Sequence, residues 1–342
     1  MRGVSGLVLA GVLVLGLVAG MFLIYGERDD LAESAANERQ DRVTLRFTYW
    51  GSPEEKKAIE STLAKFMQTY PHIAVEGIQL PNPDYNTRLK AMSALSEEPD
   101  IAYMTPDLGE QFDQQDKFHN LYAFLEKDPD LEKEDFLDSL WYERSPDYAW
   151  GMSTAGECFG LYYRPDLLAK AGVPFPPARS KDAWSWEQFV DAAKTLTLDR
   201  NGRNAHHPLF DKDNIVQYGV MFETWSEPLS NFIFSNGGNW VEGGRFVLNS
   251  PEAAEAIQKL ADLMNVHHVA PSPFDSKSMP ALSVALQAGL AAMIVDGQWI
   301  NLDLGRAGVD FDIGVLPKLK RSVTVALSGA TVIFKSSEHP EE

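Results

Sequence analysis

The amino-acid sequence predicts an α/β protein with two domains. The chain has 342 residues, more than one ordinary hydrophobic core encloses, and a hydrophobic content of 44% is enough for a folded body. Strand patterns also alternate with helix patterns along the chain. Alternation at this spacing favours a largely parallel sheet with helices packed against it.

The first block of the sequence shows this alternation clearly. Val43–Trp50 alternates apolar and polar residues with a period of two, which predicts a strand. Ser52 as N-cap and Pro53 at the first helical position then predict a helix, which Pro71 ends. The same block contains the predicted strands Ile73–Leu80 and Asp100–Met104 and the predicted helix Asp84–Leu95.

A second block begins near Gly156 with the strand pattern "ECFGLYY". Trp184–Thr197 predicts a helix whose capping box pairs Ser185 with Gln188. The remaining predicted elements are the strands "QYGVMFE", Phe311–Pro317 and Val325–Phe334, and the helices "EPLSNFIFSNGG" and Ser250–Asn265.

The N-terminus differs from the rest of the chain. Gly3–Gly26 contains no charged residue, and as a helix it would be about 36 Å long, enough to cross a hydrocarbon core. Residues 1–26 therefore predict a signal peptide or a membrane anchor, and both place the remainder outside the cytoplasm. The charged and polar residues 27–42 predict a tether.

Charge and motif content exclude several function classes. A net charge of −19 argues against nucleic-acid binding, which requires clustered Lys and Arg. The sequence has no Gly-x-Ser-x-Gly elbow, phosphate loop, His-Glu-x-x-His or Cys-x-x-Cys motif. Its single cysteine, Cys158, cannot form an intrachain disulfide and is interpreted as a small buried side chain. We therefore predict no catalytic residues, metal or cofactor.

Three tryptophans occur where predicted strands end. Trp50 follows the first strand, Trp225 lies between a strand and a helix, and Trp299 follows the Asp296-Gly297 pair, interpreted as a turn. Ligands of α/β proteins gather at the carboxyl ends of strands, and indole faces stack on the apolar faces of sugar rings. The alternative is that each indole fills a hydrophobic gap.

Several segments, taken in order, resemble a known family. They are "YNTRLKAM" with "EEPDIAYM", "GLYYRPDLLAKAGV" with "AWSWEQFVDAAKTLT", and "LQAGLAAMIVDGQW" with "FDIGVLP". Together they resemble the extracellular solute-binding proteins of bacterial ABC importers, the family that includes maltodextrin-binding proteins. The resemblance implies a two-lobed, type II periplasmic-binding-protein fold whose hinge strands lie near Ala155–Gly160 and Phe311–Pro317.

The same resemblance implies the domain boundaries. The first lobe would comprise residues 43–155 and 317–342, and the second lobe residues 156–316. The family fold has further C-terminal helices, and "SSEHPEE" carries helix-start signals where this chain ends. We therefore expect the C-terminal part of the fold to be missing from this sequence.

The resemblance also implies ligand-binding residues. Trp299 matches the family's aromatic stacking position, and Asp107 matches an acidic position that bonds sugar hydroxyls. Met104 stands where maltodextrin-binding members have an aromatic residue, so maltodextrin itself is not implied. The full predicted set is Trp299, Trp50, Asp107, Glu157, Trp225, Ser52 and Glu227.

The expected function is binding of a sugar or oligosaccharide by a monomer that closes at its hinge and delivers the ligand to ABC permease subunits. The sequence alone leaves two alternatives open. One is an exported glycoside hydrolase that uses two of the many carboxylates. The other is a sensor subunit that presents ligand to a membrane kinase.

Overall fold

The computed structural model describes residues 42–154, 156–327 and 329–342. The predicted signal peptide or anchor and nearly all of the predicted tether lie outside these ranges. Among the described residues, no helix has the length and apolar character needed to cross a membrane.

Two mixed sheets form the framework. In the first, the strand order is β2-β1-β3-β14-β5-β4; in the second it is β12-β6-β11-β8-β7, with β13 also paired to β6. The strands are β1 Val43–Tyr49, β2 Ile73–Gln79, β3 Ile101–Met104, β4 Trp141–Ser145, β5 Tyr148–Ser153, β6 Glu157–Tyr163, β7 Leu198–Asp199, β8 Ile215–Phe222, β9 Val241–Glu242, β10 Arg245–Phe246, β11 Ala291–Gly297, β12 Asp312–Gly314, β13 Ala326–Leu327 and β14 Ala330–Ile333. The short strands β9 and β10 form a separate hairpin.

Helices pack against both sheets, as the alternating pattern predicts. Ser185 forms the predicted capping box with Gln188, and the predicted N-cap Ser52 also forms a capping box, with Glu55. Ser250 caps its helix through the backbone N–H of Ala253. The helices are α1 Pro53–Thr69, α2 Tyr85–Ala94, α3 Pro106–Asp113, α4 Tyr122–Leu125, α5 Pro165–Ala171, α6 Trp186–Leu196, α7 Ser226–Ser235, α8 Pro251–Asn265, α9 Leu282–Gln287 and α10 Ile300–Arg306.

The parallel strands occupy only part of each sheet. Strands β1, β2 and β3 are parallel, as are β8 and β11, whereas β14, β5, β4, β6, β12 and β7 join antiparallel. The mixed α/β fold is thus confirmed, and a sheet that is largely parallel is not found. Neighbours in sequence such as β4 and β5 pair antiparallel because a short turn joins them, whereas parallel neighbours need a longer crossover connection.

Each sheet has its own core. The first lobe packs Leu89, Phe118 and Trp150 against β3 and β14. The second has cores on both faces of its sheet: one includes Phe189 and Phe232, and the other includes Leu286. Each lobe thus buries its own cluster of aromatic and aliphatic side chains, and this buried apolar area stabilises it.

The chain passes between the lobes at two places. The first lies between Ser153, which ends β5 of the first sheet, and Glu157, which begins β6 of the second. The second is between Leu327 and Ala330, because β13 pairs with β6 whereas β14 pairs with β3 and β5.

The second crossing therefore lies later than the expected division at Pro317. The backbone N–H groups of Lys318 and Lys320 donate to carbonyls of Trp184 and Ser235 in the second lobe. The predicted strand Val325–Phe334 is consequently divided between the two sheets. The first sheet therefore takes its strands from residues 43–153 and 330–333, and the second from within residues 157–327; we call the parts of the chain that carry them the first and second lobes.

Candidate functional site

Strand ends from the second sheet meet at one edge. Gly297 at the end of β11 is in register with Phe159 near the start of antiparallel β6, and Val295 is in register with Phe222 at the end of β8. The side chains that follow β8 and β11, and those that begin β6, therefore lie at the same edge.

Strand ends from the first sheet meet in the same way. Trp50 follows β1, and Met104 and Ser153, which end β3 and β5, both pair with Ala330 at the start of β14. Both crossings join this edge to the site-bearing edge of the second sheet. The two edges are therefore neighbours, and the space between them is the candidate site.

Three rings from different elements form the second lobe's side of the site; we call Phe159, Trp225 and Trp299 the second-lobe aromatic wall. The Phe159 centroid lies 5.5 Å from that of Trp299, edge to face, and 6.1 Å from that of Trp225. The two indole centroids are 6.4 Å apart. Trp225 is 41% exposed, an unusually open position for so large an apolar ring, which leaves area available for a ligand.

Trp299 is held over a glycine. A Cβ atom at Gly297 would overlap the six-membered ring of the indole, so the ring occupies the space that any side chain there would need. The Asp296 carboxylate beside it accepts a hydrogen bond from the Gly297 backbone N–H over 2.8 Å. Asp296 and Gly297 are the last residues of β11, buried within the strand, so their interpretation as a turn is wrong.

Trp50 is held in a comparable way on the first lobe; Trp50, Tyr85 and Tyr103 form the first-lobe aromatic cluster. The Trp50 centroid is 5.0 Å from that of Tyr85 and 5.2 Å from that of Tyr103, both edge to face. The Tyr85 hydroxyl donates to the Tyr103 carbonyl over 2.8 Å, which fixes its ring. A Cβ atom at Gly329 would lie 2.7 Å from the Trp50 ring.

Carboxylates surround the aromatic rings. Burial raises the pKa of Glu157 to about 7, and the nearby negative charge of Glu55 adds to the effect. Burial likewise raises the pKa of Asp296 to about 7; hydrogen bonds from the Gly297 N–H and Trp299 oppose this, and the charges of Glu223 and Asp303 reinforce it. Burial also raises the pKa of Glu55. Burial therefore disfavours the ionised form of these carboxyl groups, which can exchange hydrogen bonds with hydroxyl groups.

The other predicted residues have different surroundings. Ser52 is the N-cap of α1, and its hydroxyl donates to Oδ1 of Asp303 over 3.0 Å. Glu227 is half-buried in the first turn of α7, beside the aromatic wall, and accepts a hydrogen bond from the Ser226 hydroxyl. Asp107 is exposed in the first turn of α3 and makes no described contact with the other predicted residues.

Sequence patterns did not identify several residues that the structure brings to the site. Tyr103 lies at the edge through its hydrogen bond to Thr154, and Phe159 completes the second-lobe wall. Glu55 was recognisable only as the fourth residue of a capping box, and Asp303 only as an acidic residue in a helix. Their position between the lobes depends on the tertiary fold, which local patterns do not specify.

A separate cavity of about 350 Å³ lies beside β6 and β12 in the second lobe. Cys158, Gly160 and Tyr162 contribute to it from alternate positions of β6, and Ile313 and Val315 line its other side. None of the seven predicted ligand-binding residues lines this cavity. Phe159 of the second-lobe aromatic wall also lines the cavity, which therefore adjoins the candidate site.

Comparison with protein families gives one match that spans most of the chain. The model for the bacterial extracellular solute-binding proteins matches residues 50–342. Among curated proteins, the putative ABC transporter periplasmic-binding protein YcjN of Escherichia coli K12 is 24% identical over 322 residues, which cover 91% of this chain and 69% of YcjN.

Solved structures share the fold. The ABC substrate-binding protein Lmo0181 of Listeria monocytogenes, in complex with cycloalternan, superposes with a TM-score of 0.77 at 23% identity, covering 88% of this chain and 73% of that protein. Maltose-bound MalE3 of T. maritima superposes with a TM-score of 0.71 at 21% identity, covering 87% and 74%. At these identities the likeness establishes the two-lobed fold.

Proposed function

Because the chain belongs to the bacterial extracellular solute-binding protein family, we propose that it binds a neutral sugar or oligosaccharide between its lobes and delivers it to ABC permease subunits. The observation that carries this proposal is the pair of aromatic groups on facing strand edges, each bordered by carboxylates. Lmo0181 and MalE3, which share the fold, hold cycloalternan and maltose.

The second-lobe aromatic wall supplies the stacking surface in this proposal. In this proposal Trp225 and Trp299 offer indole faces from neighbouring strand ends, and Trp50 contributes a ring from the first lobe. Glu157 and Glu227 accept hydrogen bonds from sugar hydroxyls. Ser52 and Asp107 stay predictions from the family resemblance. The Ser52 hydroxyl already donates a hydrogen bond to Asp303, and Asp107 is exposed in the first turn of α3.

The charge of the site narrows the ligand class. Burial raises the pKa values of Glu55, Glu157 and Asp296, so this site disfavours negative charge even on its own carboxyl groups. An anionic sugar would add like charge to a site that already resists ionisation, which costs free energy. We expect neutral glucose oligomers to bind and uronic-acid oligomers to bind much more weakly.

In this proposal, ligand binding is coupled to closure of the two lobes. A ligand stacked on both aromatic groups contacts the two lobes together only when they are closed, so it shifts the equilibrium toward the closed state. Titration of the purified 342-residue chain with maltotriose, followed by Trp fluorescence and calorimetry, tests this. Saturable binding of maltotriose, with none of digalacturonate, is the expected result; binding of digalacturonate alone would contradict the neutral-sugar proposal.

The proximity of Glu55 and Glu157 favours one alternative, the glycoside hydrolase, because two carboxyl groups can serve as acid and base. We propose that the pair accepts hydrogen bonds and does not cleave. Incubation of the chain with chromogenic α- and β-glucosides at about pH 5 to 7 separates the two functions. Steady release of the chromophore, lost in Glu157→Gln, would establish the hydrolase.

We propose that the chain acts outside the cytoplasm as a monomer, with residues 1–26 as a signal peptide or an anchor. The family's extracellular assignment supports this location, and the uncharged Gly3–Gly26 segment supplies the means of export. Mass spectrometry of the protein recovered from cells distinguishes the two forms. An intact N-terminus in the membrane fraction identifies an anchor, and a shortened chain identifies cleavage.

A further inference from the structure

Two helices from different lobes meet beside the candidate site. The first turn of α1 in the first lobe contacts α10 in the second lobe. The Ser52 hydroxyl donates to Oδ1 of Asp303 over 3.0 Å, in a partly buried position. The Arg306 side chain lies 3.5 Å from Glu54, measured from Nε to Oε2. Both contacts join residues far apart in sequence and cross between the lobes.

The capping box of α1 orients the Ser52 hydroxyl for this contact. The Ser52 oxygen accepts from the Glu55 backbone N–H over 3.3 Å, and the Glu55 carboxylate accepts from the Ser52 backbone N–H over 2.6 Å. A serine hydroxyl has one donor and two acceptor positions. Since the cap uses an acceptor position, the hydroxyl hydrogen stays available to the Asp303 carboxylate.

The structure of α10 presents the partner groups to α1. Ile300 and Leu304 are buried in the second lobe's core and fix the helix in place. Asp303 and Arg306 are three residues apart, so they lie on the same face of the helix. Because Trp299 is the N-cap of α10, the helix that meets the first lobe also carries the central ring of the second-lobe aromatic wall.

We propose that Ser52–Asp303 and Glu54–Arg306 form an interlobe latch that keeps a fraction of the protein closed without ligand and thereby sets its affinity. The latch adds free energy to the closed state alone, so it raises the closed population before any ligand binds. Its effect on sugar affinity rests on the function proposed above. Its effect on closure does not, and can be measured without sugar.

The two contacts contribute unequally. The Ser52–Asp303 hydrogen bond has a charged acceptor and is partly buried, so removing it should lower the closed-to-open ratio about tenfold. The Arg306 side chain is 72% exposed, and its ion pair with Glu54 is screened by solvent. Its removal should lower the ratio only about twofold.

Interlobe distances measured by double electron–electron resonance spectroscopy test the latch directly. Nitroxide labels are placed at Lys90→Cys in α2 and Ala254→Cys in α8, both exposed and outside α1 and α10, in a chain with its single cysteine removed by Cys158→Ser. Without sugar, we expect the parent to show a short-distance population. Asp303→Ala and Ser52→Ala should shift most of that population to longer distances, and Asp303→Asn, which keeps an acceptor oxygen, should shift less.

Ser185→Ala is the matched control. Ser185 forms the same kind of capping box at the start of α6 but belongs wholly to the second lobe, so its loss removes a cap and no interlobe contact. It should leave the distances unchanged. The latch is overturned if the ligand-free parent shows only long distances, if Asp303→Ala keeps the parent distribution, or if Ser185→Ala shifts it as Ser52→Ala does.

Sugar titration of the same variants tests the link to affinity. If maltotriose binds the parent, Asp303→Ala should weaken binding by a factor that matches its change in the closed fraction. A failure of maltotriose to bind any variant would count against the proposed function and leave the distance result intact. An unchanged affinity in Asp303→Ala, despite altered distances, would overturn the role of the latch in affinity.

Discussion

Trp50 of the first lobe and Trp299 of the second each lie over a glycine, yet their neighbours differ. Trp50 is held edge to face by Tyr85 and Tyr103, rings of its own lobe's core region. Trp299 contacts Phe159 and the exposed Trp225. The first lobe thus supplies one rigid ring integrated into its core, whereas the second supplies a more open surface. A ligand gains most new contact area on the second lobe.

The largest expected effect on stability is at the rigid ring. Trp50→Ala removes contacts with two tyrosines and opens space over Gly329, so we expect the free energy of unfolding to fall by about 2–3 kcal/mol. Trp225→Ala removes an exposed ring and should cost about 0.5 kcal/mol. Urea unfolding of both variants measures the difference in their free energies of unfolding. Equal decreases would show that the two rings contribute equally to stability, which contradicts the comparison.

Asp296 gives the second lobe a pH dependence. Its pKa is raised by burial to about 7 in the folded protein, against an ordinary value of 3.8. The folded state therefore binds the proton more tightly than the unfolded state, and stability falls as pH rises from about 4 to about 7.

Asp296→Asn removes this ionisation while its amide oxygen can still accept from the Gly297 N–H. We expect the variant to be more stable than the parent by about 4 kcal/mol at about pH 8 and to match it at about pH 3.5. Melting temperatures of the parent and the variant, measured across this pH range, test whether the Asp296 charge destabilises the folded protein. A variant that is less stable than the parent at the alkaline end would show that the Asp296 charge is favourable where it lies.

Gly297→Ala disturbs the orientation of the Trp299 ring without deleting it. The added Cβ would collide with the indole, which must rotate away from its position beside Phe159. We expect maltotriose affinity to fall about tenfold, because a stacking ring loses its fixed geometry. Gly305→Ala, at an open position in α10, is the control and should bind as the parent does.

Local sequence patterns predicted most elements correctly because caps and periodicity are local properties. The Ser52 N-cap, the Ser185 capping box and the strand at Glu157–Tyr163 are confirmed. The Val325–Phe334 segment reads as one strand, yet its halves pair with different sheets, a long-range property that no local pattern carries.

In the candidate site, too, some residues could be predicted from local sequence and others are placed only by long-range contacts. Trp225 and Trp299 follow apolar strands, and their placement at strand ends was readable from the sequence. Asp296-Gly297 looked like a turn because these residues are typical of turns, but burial between β6 and β8 keeps both in the strand. Tyr103 and Asp303 come to the site through pairing and interlobe contact, for which the sequence offers no local signal.

Trp299→Ala tests most directly whether the second-lobe aromatic wall binds sugar. Calorimetric titration with maltotriose and thermal unfolding are measured on the same samples of the parent and the variant. We predict that affinity falls about thirtyfold or more, the loss of about 2 kcal/mol of stacking, while the melting temperature falls by only a few degrees. An affinity equal to that of the parent, with a large fall in melting temperature, would show that Trp299 is a packing residue and contradict sugar binding by this wall.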